Sequence, residues 1–231
     1  MDEREFDKFA EEYTRSHREN VRLSGEDVDF FAAYKVEDMR HVWSAAGECE
    51  PKRILDFGGG IGVSTPHLRR VFPQTEIMIA DVSRRSLEIA KRRGVEGVST
   101  QHFDGVNLPY ADGHFDMALA ACVFHHVDVA QHITLLAEIR RVLRPGGRLL
   151  VFEHNPWNPL TRHAVNTCPF DENAVLISGP EMRRRMREAG FENASVAWRL
   201  FVPGALQRLR PMEAWMGWLP LGAQYRAVGT H

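Results

Sequence analysis

A run of glycines behind an acidic strand end constrains this chain more than any other feature. Residues 53–62 read Arg-Ile-Leu-Asp-Phe-Gly-Gly-Gly-Ile-Gly. Ile54 and Leu55 predict a short buried strand, and the helix-competent segment Val63 to Val71 follows the glycines. Strand, tight turn and helix in that order make an α/β unit. Glycines at 58, 60 and 62 open backbone angles closed to other residues and let a ligand lie against bare main chain. The free N–H groups at the start of the helix then face that ligand.

Charge narrows what the ligand is. A dinucleotide loop wants G-x-G-x-x-G so that a pyrophosphate sits on the helix N-terminus. Here Gly58 and Gly60 fit, the third place falls on Val63, and Asp56 stands two residues ahead of the turn. A carboxylate there repels pyrophosphate and favours an ammonium or sulfonium centre. Asp56-Phe57-Gly58-Gly59-Gly60-Ile61-Gly62 resembles the D/E-x-G-x-G-x-G first motif of class I S-adenosylmethionine-dependent methyltransferases. The resemblance implies a doubly wound, Rossmann-like α/β fold with a seven-stranded, mostly parallel sheet. It also implies S-adenosylmethionine as methyl donor, with the loop holding its methionine and ribose parts.

The next segments fit that order. Glu76 to Asp81 predicts a second buried strand ending in an acid, 21 residues past Gly60, where a carboxylate accepts from ribose hydroxyls. Val82 follows it, and a plain N-cap for the helix at Ser83 to Arg93 is the competing role for Asp81. A third strand, Val98 to Phe103, leads into Asp104-Gly105 and Leu108-Pro109-Tyr110-Ala111-Asp112-Gly113-His114-Phe115-Asp116. This resembles the family's "D-A-x-x-L-P-F-x-D-G-x-F-D" segment, which places adenine contacts on Phe103, Asp104 and Gly105. A carboxylate suits that place because an exocyclic amine donates and a carboxylate accepts.

A fourth strand, Phe115 to Ala121, runs into Cys122-Val123-Phe124-His125-His126-Val127, which resembles the family's "V-L-H-H-V". The resemblance puts Ala121 and Cys122 beside the methionine part, and His125 and His126 near the methyl acceptor. Histidine is a suitable general base for an acceptor that carries a proton, although His126 also fits as a helix cap. A helix from Val129 to Leu143 carries Val129, Ile133, Leu136, Ile139 and Leu143 at helical spacing. Arg144-Pro145-Gly146-Gly147 stops it and turns the chain into strand five, Arg148 to Glu153.

Beyond that strand, residues 154–179 hold two prolines, a tryptophan and clustered polar groups, and read as an irregular acceptor loop or as a packed connector. His154 is a further candidate base at its start, with Arg162 and His163 lying farther out. Strand six is expected over Val196 to Val202. A last, antiparallel strand over Ala223 to Gly229 should slot between strands five and six. Residues 204–220 form a helical insertion whose Met212, Trp215, Met216 and Trp218 suit core packing better than a lid, a dimer contact or an interfacial helix.

Residues 1–50 predict an N-terminal helical cap on a methyltransferase domain at 51–231. Phe6, Phe9 and Tyr13 share a helical face, and a second helix follows Ser24 to Asp27. The opening resembles "F/Y-D-x-x-A-x-x-Y" of small-molecule methyltransferases, which brings Tyr13 and Lys35 toward the cofactor's carboxylate end.

At 231 residues and 44% hydrophobic composition the chain can bury a sizeable core. A formal net charge of −2 offers no basic field for nucleic acid. Three scattered cysteines suggest neither disulfides nor a metal centre. No apolar run reaches the roughly 18 residues needed to cross a bilayer, so a cytoplasmic monomer or homodimer without membrane insertion is expected. The expected activity is methyl transfer to a small-molecule metabolite. A non-catalytic protein that binds S-adenosylmethionine in a regulatory or scaffolding role is the alternative, and another chemistry on the same fold, aminopropyl transfer or nicotinamide binding, is a third.

Overall fold

The computed structural model describes residues 25–231, apart from the side chain of Phe170. Seven strands form one sheet among these residues: β1 (Arg53–Phe57), β2 (Glu76–Asp81), β3 (Val98–His102), β4 (Phe115–Ala121), β5 (Leu143–His154), β6 (Glu192–Arg199) and β7 (Gln224–Thr230). Their order is β3-β2-β1-β4-β5-β7-β6, and only β7 runs antiparallel, between β5 and β6. The helices are α1 (Val28–Ser44), α2 (Thr65–Val71), α3 (Arg84–Arg92), α4 (His132–Val142), α5 (Pro159–Asn166) and α6 (Gly179–Glu188).

The central strands are apolar almost throughout because both faces are covered, as parallel sheets require. On one face Ile54, Met117 and Leu150 meet Val36, Met39 and Trp43 of α1 and Leu68 of α2. On the other, Leu55, Phe57, Ala118 and Leu149 meet Leu135, Leu136 and Ile139 of α4 and Met182 and Met186 of α6. Two-residue alternation along β1 thus feeds two cores. The chain winds outward from β1 to β3 and returns to β4, so β1 and β4 are neighbours whose connections leave in opposite directions. A crevice opens at their carboxyl ends.

Several expectations need correction. The 129–143 helix begins with a 3-10 turn, Val129–Gln131, and becomes α-helical only at His132. The Pro-Gly-Gly segment is an irregularity inside β5: Leu143 pairs with Phe115, pairing resumes at Arg148 with Met117, and Gly146 takes a φ of +77°. The 154–179 stretch holds a regular element, α5, with Asn158 accepting from Thr161 N and Pro159 in the first turn. That is a helix start signal read as a loop signal.

The 204–220 insertion is a kinked 3-10 segment, Gly204–Trp215, and it is not core: Trp215 is 83% exposed and Trp218 75%. Its fixed points are polar. Glu213 Oε1 accepts from the amides of Phe201 and Val202, and Arg210 pairs with Glu26.

Candidate functional site

The glycine loop lies where β1 ends. Gly58 donates its amide to Ala80 O at 2.7 Å, tying the turn to β2, and Gly58, Gly60 and Gly62 all have positive φ. A Cβ at Gly59 would sit 2.7 Å from the Asp56 carboxylate, so any side chain there collides with the acid beneath the loop. At Gly60 nothing lies within 4 Å of that position, which leaves bare backbone facing open space. Asp81, at the end of β2, accepts from Gly60 N at 2.9 Å and from Ser83 N at 2.8 Å. One carboxylate therefore links the loop to the segment ahead of α3, but the N-cap of that helix is Ser83, whose hydroxyl accepts from Ser86 N, and not Asp81.

A cavity of about 380 Å³ runs from this loop between α1, the β4 exit and α5. Of the residues expected at the cofactor, Lys35, Asp56, Gly58, Gly59, Gly60, Asp81, Val82, Ala121 and Cys122 line it, as do His126 and His154. Gly62 is not on its wall; a Cβ there would meet Thr65 at 2.9 Å, so this glycine serves the turn. Tyr13 lies outside the described residues.

Phe103, Asp104 and Gly105 are also off the wall. Phe103 is buried against Phe57, with ring centroids 5.4 Å apart. The Asp104 carboxylate accepts from the amides of Val106 and Asn107 at 2.8 and 2.7 Å and from the Asn107 side chain, which holds it well below the usual carboxylate range. Its local turn satisfies it.

Asp56 has the least satisfied chemistry. It is 1% exposed, and its Oδ2 has no hydrogen-bond partner. Burial, with the neighbouring Asp81 charge, pushes its pKa up to about 7 against the pull of Lys35. A cationic group in the cavity would relieve this penalty, so the donor set fits a sulfonium cofactor with an ammonium group.

The unfolded carboxyl titrates near 3.8 and the folded one near 7, so the folded chain binds more protons between those values. Asp56 therefore contributes stability at low pH that is lost as pH rises through about 7. Asp56→Asn is expected to flatten the fall in ligand-free unfolding free energy between pH 4 and 8, read by urea denaturation across pH. An unchanged slope would remove the assignment.

Cys122 and Lys35 mark the other side of the crevice. Cys122 takes a φ of +59°, and Lys35 Nζ lies 3.5 Å from its sulfur. Burial pushes the thiol up, but the Lys35 ammonium and His154 outweigh it and bring its pKa down to about 7.

The three histidines part company. His125 is 2% exposed and off the cavity wall, which corrects its expected place beside the acceptor. Its Nδ1 donates to Glu153 Oε2 at 2.5 Å, and its Nε2 faces Asp171 Oδ1 at 3.5 Å. Burial opposes its charge, yet the two carboxylates raise its pKa well above the ordinary value. Glu153, at the expected end of strand five, turns inward and takes the amides of Val123 and Phe124 on Oε1.

His126 lines the cavity with Nε2 3.4 Å from Asp171 Oδ1, and burial together with the His125 cation lowers its pKa to about 3. His154 closes β5 on the cavity wall, its ring centroid 5.3 Å from that of His125. His163, expected farther out, also reaches the wall.

Asp171 escaped the sequence reading. It sits in a 3-10 turn, Pro169–Asp171, 45 residues beyond His126, and no local pattern ties it to the histidine pair. Phe30, Phe31, Phe201 and Val202 were also missed; they add apolar walls to the cavity, with the Arg210–Glu26 pair beside Phe30.

A family model described as a methyltransferase domain matches residues 55–151. The ubiquinone/menaquinone biosynthesis C-methyltransferase UbiE of Desulfotalea psychrophila is 31% identical over 155 residues, 67% of this chain and 58% of that protein. The demethylmenaquinone methyltransferase of Thermus thermophilus is 39% identical over 121 residues, 51% of this chain and 54% of that protein. The chain thus spans about half the length of these curated relatives. Among solved structures, a methyltransferase of Thermotoga maritima described as a possible histamine N-methyltransferase superposes with a TM-score of 0.68 over 98% of both chains, at 24% identity.

Proposed function

Since the chain belongs to the class I S-adenosylmethionine-dependent methyltransferases, through the domain at residues 55–151, we propose that it methylates a small, ring-bearing acceptor of the quinone-precursor kind. The observation that carries this reading is one continuous cavity with two chemistries. Asp56, Asp81, Lys35 and the bare glycine backbone give it polar walls, and Phe30, Phe31, Phe201 and Val202 give it apolar ones. The relatives named for quinone biosynthesis support an apolar ring as the occupant beside the aromatic walls.

S-adenosylmethionine, when bound, supplies an activated methyl group. Asp81 is the residue to hold ribose hydroxyls, Asp56 offsets positive charge, and Lys35 faces the carboxylate end. The gain comes from aligning acceptor and methyl carbon and from excluding water, the aromatic wall doing the latter. His154 is the base in this reading, because it stands on the wall while His126 is directed at Asp171 and His125 at Glu153.

Of the expected cap at residues 1–50, residues 1–24 lie outside the described residues. In the described part, α1 brings Phe30, Phe31 and Lys35 to the cavity wall. Residues 154–179, with α5, form the acceptor side. Among the described residues no helix is long and apolar enough to cross a membrane. A cytoplasmic monomer or homodimer acting on a small molecule rather than nucleic acid completes the proposal, supported by the net charge of −2.

The test is calorimetry with S-adenosylmethionine, then transfer of isotope-labelled methyl to a demethylated naphthoquinol. Donor binding and label in the ring product are expected; no donor binding sinks the reading. Asp81→Ala should weaken donor binding by about 1–3 kcal/mol, the scale of lost hydrogen bonds to a charged group. Unchanged affinity would move the ribose elsewhere.

A further inference from the structure

We propose that His125, His126 and Asp171 form a binding site for a divalent cation of the zinc class, with its open side on the cavity. One ligand atom from each residue falls in a group whose members all lie within 4.8 Å of one another. Both ring nitrogens concerned face the same carboxylate oxygen, Asp171 Oδ1, at 3.5 Å from His125 Nε2 and 3.4 Å from His126 Nε2. These separations exceed the 2.7–3.2 Å or so of an ordinary N–H···O bond. Two ligands each about 2.0–2.2 Å from a tetrahedral ion lie about 3.3–3.6 Å apart, which both observed distances meet.

The surroundings of His125 point the same way. A histidine that ligates a metal through one nitrogen almost always donates its other N–H to a carboxylate or carbonyl, fixing tautomer and ring orientation. His125 Nδ1 donates to Glu153 Oε2 at 2.5 Å, and the other oxygen of Glu153 is itself held by the amides of Val123 and Phe124. The 169–171 turn is pinned nearby as well: Val175 donates its amide to His125 O at 2.8 Å. Three parts of the chain, the β4 exit, the end of β5 and the segment after α5, thus converge on one spot.

Two imidazoles and one carboxylate suit a borderline cation better than calcium or magnesium, which prefer oxygen alone. Because His126 and Asp171 line the cavity, a fourth ligand would come from within it. An oxygen of the acceptor is the natural occupant, which would orient the acceptor beside the methyl donor. That role rests on the methyl-transfer reading; cation binding does not.

The experiment uses tag-free protein stripped with a chelator and titrated with Co²⁺, followed by Zn²⁺. One equivalent of Co²⁺ is expected, with the visible absorption of a low-coordinate nitrogen and oxygen site, displaced by one equivalent of Zn²⁺. His126→Ala and Asp171→Asn should each weaken binding by on the order of 100-fold, at or above the upper end of what losing a supporting residue costs. His163→Ala, on the same wall but outside the cluster, should bind as wild type does. No Co²⁺ uptake, or uptake that both ligand variants leave unchanged, overturns the site. Donor calorimetry on the same stripped protein separates the two claims: donor binding without cation binding overturns the cation site alone, and cation binding without donor binding overturns the methyl-transfer reading alone.

Discussion

Glu153→Ala is expected to lower the unfolding free energy of the metal-free protein by about 3–5 kcal/mol, the range for removing one partner of a buried ion pair. The carboxylate is 1% exposed and serves three donors: the amides of Val123 and Phe124, at 3.0 and 2.7 Å, and His125 Nδ1. Alanine leaves two amides and an imidazolium without an acceptor in a place water does not reach. Each stranded polar group costs about 1–3 kcal/mol. Some relief comes from Asp171, which keeps its contact with His125 Nε2, and from loss of the His125 proton.

Glu153→Gln should cost less than half as much, because its side-chain oxygen still accepts from both amides. Equilibrium urea denaturation of both variants reads these losses. A cost below about 1 kcal/mol for alanine, the value of one ordinary hydrogen bond, would show that Glu153 is not what anchors the turn.

That carboxylate also shows where sequence reading stopped. The glycine loop was legible because its signal is local: an acid, three glycines in positive φ and a helix within a dozen residues. The same holds for Asp81, whose place at the end of β2 follows from one buried run. The direction of a side chain at a strand end is not local. Glu153 and His154 are adjacent, so strand alternation sends one inward beneath the β4 turn and the other to the cavity. Choosing between them needs the register of β5 on β4, which pairs Ala121 with Phe152.

Asp104 shows a different limit. Its carboxylate accepts from the amides of Val106 and Asn107 in its own turn, which short acidic side chains readily do and which its motif does not announce. Trp215 and Trp218 failed because aromatic content was taken for burial. Pro211 and the kink at Leu206 keep that segment from forming the long amphipathic helix that would have carried them inward.

His154→Ala is expected to lower kcat for a hydroxyl-bearing acceptor by about 10²- to 10⁴-fold, the usual contribution of a positioned general base. Donor affinity, read by calorimetry, should stay near wild type, since the residue stands at the end of β5 and the donor loop at the end of β1. The argument for this residue is one of direction. Of the three histidines grouped at the crevice, His125 has both nitrogens committed to carboxylates and His126 presents Nε2 to Asp171. His154 is left facing the cavity beside Cys122, whose thiol it helps to hold near neutral titration.

A structural role for His154 would also lower turnover, so the decisive comparison is between acceptors. One that arrives already ionised has no proton to give up, and the base then contributes nothing. The loss in His154→Ala should therefore shrink toward unity for an acidic phenol assayed above its own pKa, and remain for an aliphatic alcohol or a weakly acidic phenol. Equal losses for both would assign the residue to positioning, and full activity with either would remove it from the mechanism.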